Sequence, residues 1–367
     1  MLEEYRSLPR VTSDAKPWPI GGELSVCHGC GAIQKLPDEK WRDEAMRIYR
    51  NYEMYHLSCG SEQLVFADSG AALPRSQQLV DFVIQRLNPP RNGKLIDIGC
   101  GNGEALANFA NVVPEWRLYG SELTDRVRPA LRRLKSFVNL YTVPPHEIDE
   151  RFTLVTMIHS LEHMSEPLKT LRDAIQLIEP EGALFVEVPD IETSPFDLLV
   201  ADHMMHFSRD SLGLLADRCG IVPFTLINDL IPKEITLLGR RGAGARIKLD
   251  PSVGVRVARS TVQWLVEVMS QVHQFAKNGG IGIFGTSVAG MAIYGAFREW
   301  VRFFVDEDPA RAGRSYDDKP VIAPKDVPKG VPVIMALPPE RARRVAHRLE
   351  NSGMLTVVPP VLHASKT

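Results

Sequence analysis

Three groups of residues in this chain have types and spacing that could do chemistry. The first is LIDIGCGNG at 95–103, where Gly99, Gly101 and Gly103 follow a short apolar run and Asp97 precedes the first glycine by two residues. Bare backbone at a strand-to-helix turn can approach a ligand closely, and the N-terminus of the following helix faces that ligand. The spacing lacks the third glycine of the dinucleotide fingerprint. An anion at Asp97 would repel a pyrophosphate but suits a cationic ligand. The second group is four histidines, His159, His163, His203 and His206, each able to take or hold a proton near neutral pH. The third is Cys27-x-x-Cys30 with Gly31 behind it; His56-x-x-Cys59 repeats the two-residue spacing, and the four residues together offer the N/S ligand set of a tetrahedral zinc ion. The alternative for this third group is a metal-free knuckle with His56 and Cys59 pointing elsewhere.

Positioning the first two groups falls to alternating strand and helix patterns. Leu79, Phe82, Val83 and Leu87 recur at helical spacing before the run Leu95–Ile98, and a helix opens at Glu104. The segment 116–120 reads as a second strand ending near Glu122, which falls 19 residues after Gly103. That is about the distance at which an acidic group closes the second strand and accepts ribose hydroxyls. An Arg- and Leu-rich helix is expected over 126–136, then a weak strand over 138–143. The near-continuous apolar run 152–158 fits a parallel strand buried on both faces, and it ends in His159-Ser160-Leu161-Glu162-His163. Polar groups there sit at the carboxyl edge, where open α/β sheets bind ligands. A helix over 167–178 and a strand over 183–189 complete the pattern, so the expected fold class is α/β with a doubly wound, mostly parallel sheet.

Length and composition bound the rest. A chain of 367 residues has room for two or three domains, here expected as a loop-rich module at 1–70, a central α/β domain at 71–235 and a C-terminal α/β domain at 236–367. The C-terminal part repeats the strand, glycine turn and helix order at Ile281–Gly290, where amides from Thr286 to Gly290 could cradle a phosphate. Strands are also expected at 301–306, 331–337 and 354–358, and Arg240-Arg241 with Gly242 and Gly244 reads as a mobile hairpin. A net charge of −2 suggests no nucleic-acid partner. The uncharged stretch 278–297 is interrupted by Gly279, Gly280, Gly282 and Gly285, which argues against a membrane span. The opening MLEEYRSLPR has no apolar h-region, and Cys100 and Cys219 stand alone in mid-chain; a reducing, cytoplasmic setting is expected.

The block from about Gly93 to Gly220 resembles the class I S-adenosylmethionine-dependent methyltransferases, on LIDIGCGNG, Glu122, SLEHM at 160–164, EPEGALFVEVP at 179–189 and HFSRDSLGLLADRCG at 206–220. With the cysteine knuckle before it and the glycine turn, Asp306-x-x-Pro309 and Gly313-Arg314 after it, the plan is similar to sugar C-methyltransferases that act on nucleotide-linked keto-sugars. The resemblance implies S-adenosylmethionine at Asp97, Gly99, Cys100, Gly101, Gly103, Glu122, Leu123, His159 and Ser160, with a bound zinc ion in the N-terminal module and a Rossmann-like C-terminal domain. It also implies a sugar or nucleotide-sugar acceptor. Aligning on Phe207-Ser208 puts His203 on the family's proposed base and Asp202 on its glutamate, with His206 the second candidate; Ala201 and His206 depart from the family's histidine and tyrosine. The structural alternative is that His203 and His206 cap the helix after Ser208. O-methylation of a glycan or small metabolite, and cofactor binding without catalysis, are the competing functions.

Overall fold

The computed structural model describes residues 3–53, 62, 64–66, 72–350 and 353–362. They fall into two compact units, one made of 62–190 and 204–250 and the other of 1–61, 191–203 and 251–367.

The first unit is built around a seven-stranded mixed sheet. Its strands are β1 (Lys94–Ile98), β2 (Arg117–Ser121), β3 (Phe137–Tyr141), β4 (Phe152–Ile158), β5 (Ile178–Pro189), β6 (Ile221–Ile227) and β7 (Glu234–Arg241). Their order across the sheet is β6-β7-β5-β4-β1-β2-β3. The five strands from β5 to β3 run parallel, and β7 enters antiparallel against both β5 and β6. The reversal of strand order between β1 and β4 opens a crevice at their carboxyl ends. Register across it pairs Thr156 with Asp97 and Asp97 with Gly120. Leu95, Leu118, Leu154 and Phe185 are fully buried along the sheet, as strands covered on both faces require.

Helices Arg75–Leu87, Glu104–Val112, Pro167–Gln176 and Arg209–Arg218 belong to this unit. The expected long helix over 126–136 is shorter: a 3-10 turn Asp125–Val127 runs into the four-residue helix Arg128–Leu131. Arg128 accounts for the tight turn, because its guanidinium donates to Asp125, Asn139 and the Leu140 carbonyl together. Arg240 and Arg241 are not a mobile hairpin: both lie in β7, and Arg241 donates to the Ile175 carbonyl at 3.0 Å.

The second unit holds a six-stranded sheet of β8 (Ile281–Phe284), β9 (Val301–Val305), β10 (Ser315–Tyr316), β11 (Lys319–Ile322), β12 (Pro332–Met335) and β13 (Leu355–Val357), ordered β10-β11-β9-β8-β12-β13. Only the β10–β11 pair is antiparallel. Helix Pro251–Ala276 buries Trp264, Leu265, Val268 and Val272 in the same core as Ile283, Met291, Phe196 and Tyr5. In this unit the N-terminal segment and residues 191–203 are therefore built into one core.

Candidate functional site

The glycine loop follows β1, and its shape comes from three left-handed glycines. Gly99, Gly101 and Gly103 have φ of 77°, 49° and 87°. A Cβ at Gly99 would stand 2.5 Å from the Ser160 Cβ, so the close approach admits no side chain. Ser160 closes the loop from the other side by donating to the Ile98 carbonyl at 2.7 Å. The Gly99 amide donates to the Ser121 carbonyl at 2.8 Å, and the Gly101 amide donates to Glu122 Oε1 at 3.1 Å. Glu122 Oε2 accepts the Leu123 amide at 2.8 Å, and the Leu123 side chain is 69% exposed, an apolar surface beside the carboxylate. Cys100 is buried with its thiol against Gly120, and burial pushes that thiol up, so its contribution is backbone and packing.

Asp97 is 3% exposed at the end of β1 and accepts the Thr156 hydroxyl at 2.7 Å. Burial raises it to about 7; the Thr156 hydrogen bond opposes that shift, while Glu122 adds to it. A buried carboxyl held up in this way lacks a cation, which a sulfonium supplies. The residues present fit S-adenosylmethionine: a backbone cradle that excludes any Cβ, a carboxylate at the end of β2, and an under-compensated acid at the end of β1.

His159 follows β4 with φ of 50°, a left-handed conformation costly for a residue with a Cβ. Both ring nitrogens face carboxylates. Nδ1 lies 3.2 Å from Glu162 and Nε2 lies 3.0 Å from Glu234, and Arg75 stands 3.4 Å from the other Glu234 oxygen. Burial disfavours the charged ring, but Glu234 and the hydrogen bonds with Glu162 and Glu234 outweigh it and raise His159 to about 9. Glu234 is held near 2, with His159 and then Arg75 overcoming the cost of its burial. Glu187, fully buried on β5 and paired in register with Thr236, is pushed well up by burial and by Glu234. Glu187, Glu234 and Arg75 were not expected from sequence. A single charge inside the apolar run ALFVEVP was the one available signal for Glu187.

The remaining candidates fall as follows. His206 is 1% exposed on the short strand Met205–His206, and His163 closes the 3-10 turn Leu161–His163. Helix Arg209–Arg218 is capped by Ser208, which forms a reciprocal pair with Ser211, so the capping role proposed for the histidines belongs to a serine. In the other unit, His203 is 6% exposed and its Nδ1 lies 2.8 Å from Asp197 Oδ1. Asp202 turns to Ser13, accepting its amide at 2.9 Å and its hydroxyl at 2.5 Å. The carboxylate on the His203 ring is thus Asp197, six residues upstream and not adjacent in sequence.

Cys27 and Cys30 lie half-buried on a turn that the Gly31 amide closes onto the Cys27 carbonyl at 2.8 Å. His56 and Cys59 lie outside the described residues. Glu62 accepts the Ser76 amide and hydroxyl. In the C-terminal glycine turn, the Thr286 amide and hydroxyl both donate to Asp306, and Arg311 donates to the Thr286 hydroxyl at 3.0 Å. Within this turn the Thr286 amide and hydroxyl are thus taken by a buried carboxylate.

Residues 74–223 match the model of a family described as a methyltransferase domain. The chain is 29% identical over 134 residues to a ubiquinone biosynthesis O-methyltransferase of Xanthomonas campestris pv. campestris (strain B100), covering 33% of this chain and 53% of that protein. It is 28% identical over 115 residues to the protein of the same name from Vibrio vulnificus (strain YJ016), covering 29% and 48%. The chain thus spans about half the length of the curated relatives it matches. It is also similar to the solved structure of coclaurine N-methyltransferase, at 16% identity and a TM-score of 0.40, covering 52% of this chain and 66% of that one. These likenesses name no acceptor for this chain. Together with the cradle at Gly99–Gly103 and the sheet order, the match makes residues 74–223 a class I S-adenosylmethionine-dependent methyltransferase domain.

Proposed function

We propose that the protein transfers a methyl group from S-adenosylmethionine to a sugar-like, nucleotide-linked acceptor, at the carbon next to a ketone, with His203 as general base. The buried Asp197–His203 pair at 2.8 Å carries this reading. A carboxylate on Nδ1 orients the ring, favours one tautomer and stabilises the imidazolium that forms when the other nitrogen takes a proton. S-adenosylmethionine supplies the methyl on a cationic sulfur, which leaves as a neutral thioether. The chain's own work is to hold that cofactor at the Gly99–Gly103 cradle and Glu122, to keep Asp97 available to the positive charge, and to remove the acceptor proton. The sugar acceptor rests on the three-part sequence plan. The same plan supports a zinc ion on Cys27, Cys30, His56 and Cys59 and a Rossmann-like role for the sheet β8–β13, and the isolated Cys100 and Cys219 support a cytoplasmic setting.

A second reading is O-methylation, in which the same base takes a hydroxyl proton. It is favoured by the matched relatives, which are O-methyltransferases by name. Labelled S-adenosylmethionine with a panel of nucleotide-linked keto-sugars, glycans and small hydroxylated metabolites decides between them. Label on a carbon of a keto-sugar is the expected result. Label on a hydroxyl oxygen of a glycan or small metabolite would replace the first reading with the second, and cofactor binding with no transfer to any acceptor would favour a binding protein.

A further inference from the structure

Within the second unit, the segment that carries Asp197 and His203 is gripped along its length by the first fifty residues of the chain. The Tyr5 hydroxyl donates to the Leu198 carbonyl at 2.8 Å, and the Lys35 amine donates to the same carbonyl at 3.2 Å and to the Tyr5 oxygen. The Ala201 amide donates to the Val11 carbonyl at 2.8 Å, beside a backbone bridge between Val11 and Val200. The Trp41 indole donates to the Ala201 carbonyl at 3.1 Å. Ser13 holds Asp202 through two hydrogen bonds. Almost every residue from Leu198 to Asp202 thus has a polar partner in the N-terminal segment.

Two of these contacts are chemically unusual. A lysine amine is rarely buried, yet Lys35 is 2% exposed, with its amine over the Tyr5 ring at 4.6 Å from the centroid. Burial lowers it to about 7, and Asp197 is the group that most resists that fall. Lys35 is therefore coupled electrostatically to the carboxylate that bonds His203. Burying an amine and a phenol to double-cap one carbonyl is costly unless the position of that carbonyl matters. The carbonyl belongs to Leu198, the residue directly after Asp197.

We propose that Tyr5 and Lys35 are positioning residues that hold Asp197 on the Nδ1 side of His203, so that the N-terminal segment serves as the frame of this acid–base pair. Its meaning for catalysis rests on the reading of His203 as base; its geometry does not. Both residues act through Asp197, and neither is assigned contact with acceptor or cofactor. Arg10, whose guanidinium makes a bidentate pair with Glu44 at 2.7 Å, acts on Lys35 together with Glu44, Asp197 and Asp202.

The test uses the full chain with 15N-labelled histidine. The ring signals of His203 are assigned by their loss in His203→Gln, and the ratio of its two tautomers is read from the nitrogen shifts. Tyr5→Phe and Lys35→Met are then compared with the parent protein, with S-adenosylhomocysteine affinity and thermal midpoint as controls for folding. The tautomer ratio is expected to fall at least threefold in each variant while S-adenosylhomocysteine affinity stays within twofold. A lower midpoint with an unchanged ratio would overturn the proposal, because a purely structural role moves stability without moving the ring. Should Lys35→Met not fold, Tyr5→Phe, which removes one oxygen atom, decides alone. Turnover by His203→Gln would sink the base assignment and leave the tautomer result to stand or fall separately.

Discussion

The Thr156 hydroxyl on β4 donates to the Asp97 carboxylate on β1 at 2.7 Å, across the pair of strands where the sheet order reverses. This hydrogen bond does not prevent burial from raising Asp97 to about 7. Because the folded value lies above the unfolded one, the stability this group contributes is full below about pH 4 and is lost as pH rises through 7. We expect the cofactor-free protein to lose up to about 4 kcal/mol from this carboxyl between pH 4 and pH 8, and Asp97→Asn to remove that slope. Urea melts at several pH values measure it.

The same acid links cofactor charge to protons. A sulfonium favours the ionised carboxylate, so S-adenosylmethionine binding near pH 6 should release a proton, and binding of the neutral product S-adenosylhomocysteine should release fewer. Calorimetry in buffers of different ionisation enthalpy reads both. Equal release for the two ligands would mean that Asp97 does not sense the methyl-bearing sulfur.

His159 and Glu234 set a second pH window. His159 rises to about 9, so its contribution is complete below about 6.5 and fades as pH climbs to 9. Glu234 falls to about 2, so its contribution is complete above about 4.5 and fades toward pH 2. The pair is therefore worth most between about pH 4.5 and 6.5. Glu234→Gln should lose on the order of 2 kcal/mol in that window, by leaving the partly buried imidazolium with one carboxylate, and should return the His159 titration toward its ordinary range. Thermal melts and histidine NMR check the two halves separately.

Gly99→Ala meets two obstacles at once, a left-handed φ of 77° and a Cβ 2.5 Å from that of Ser160. We expect a stability loss on the order of 2 kcal/mol and at least a tenfold weaker S-adenosylhomocysteine affinity. Unchanged affinity would mean that the loop is not the cofactor cradle.

The Asp197–His203 pair predicts that Asp197→Asn lowers kcat on order of a hundredfold or more while leaving cofactor affinity intact, because the amide supports the wrong tautomer. The zinc assignment predicts about one zinc ion per chain by metal analysis, lost in Cys27→Ser. Full-length protein free of zinc and still folded would end that assignment.

The alternation of strands and helices and the glycine loop were legible because each depends on local pattern. Apolar runs of five to seven residues, positive-φ glycines and an acid at a fixed distance downstream are properties of contiguous sequence. The helix after Glu122 was read too long because Arg128 folds back onto residues of β3, a contact that no helical periodicity encodes. At the C-terminal glycine turn Asp306, directly after β9, takes the Thr286 amide, a contact between separate segments that the sequence of the turn does not encode.

Residue type and spacing alone mark the methyltransferase domain and its glycine loop, because they suffice to specify a strand, a turn and the helix that follows. Only the tertiary structure decided which acid serves which base. Asp202 adjoins His203 in the chain but bonds Ser13, whereas Asp197, six residues away, meets the ring. Likewise His159 draws its partners from Glu162 and from Glu234, 75 positions downstream by residue number. Pairings of buried charges are set by where strands and loops are brought together, and a desolvated group binds whichever partner the packing delivers.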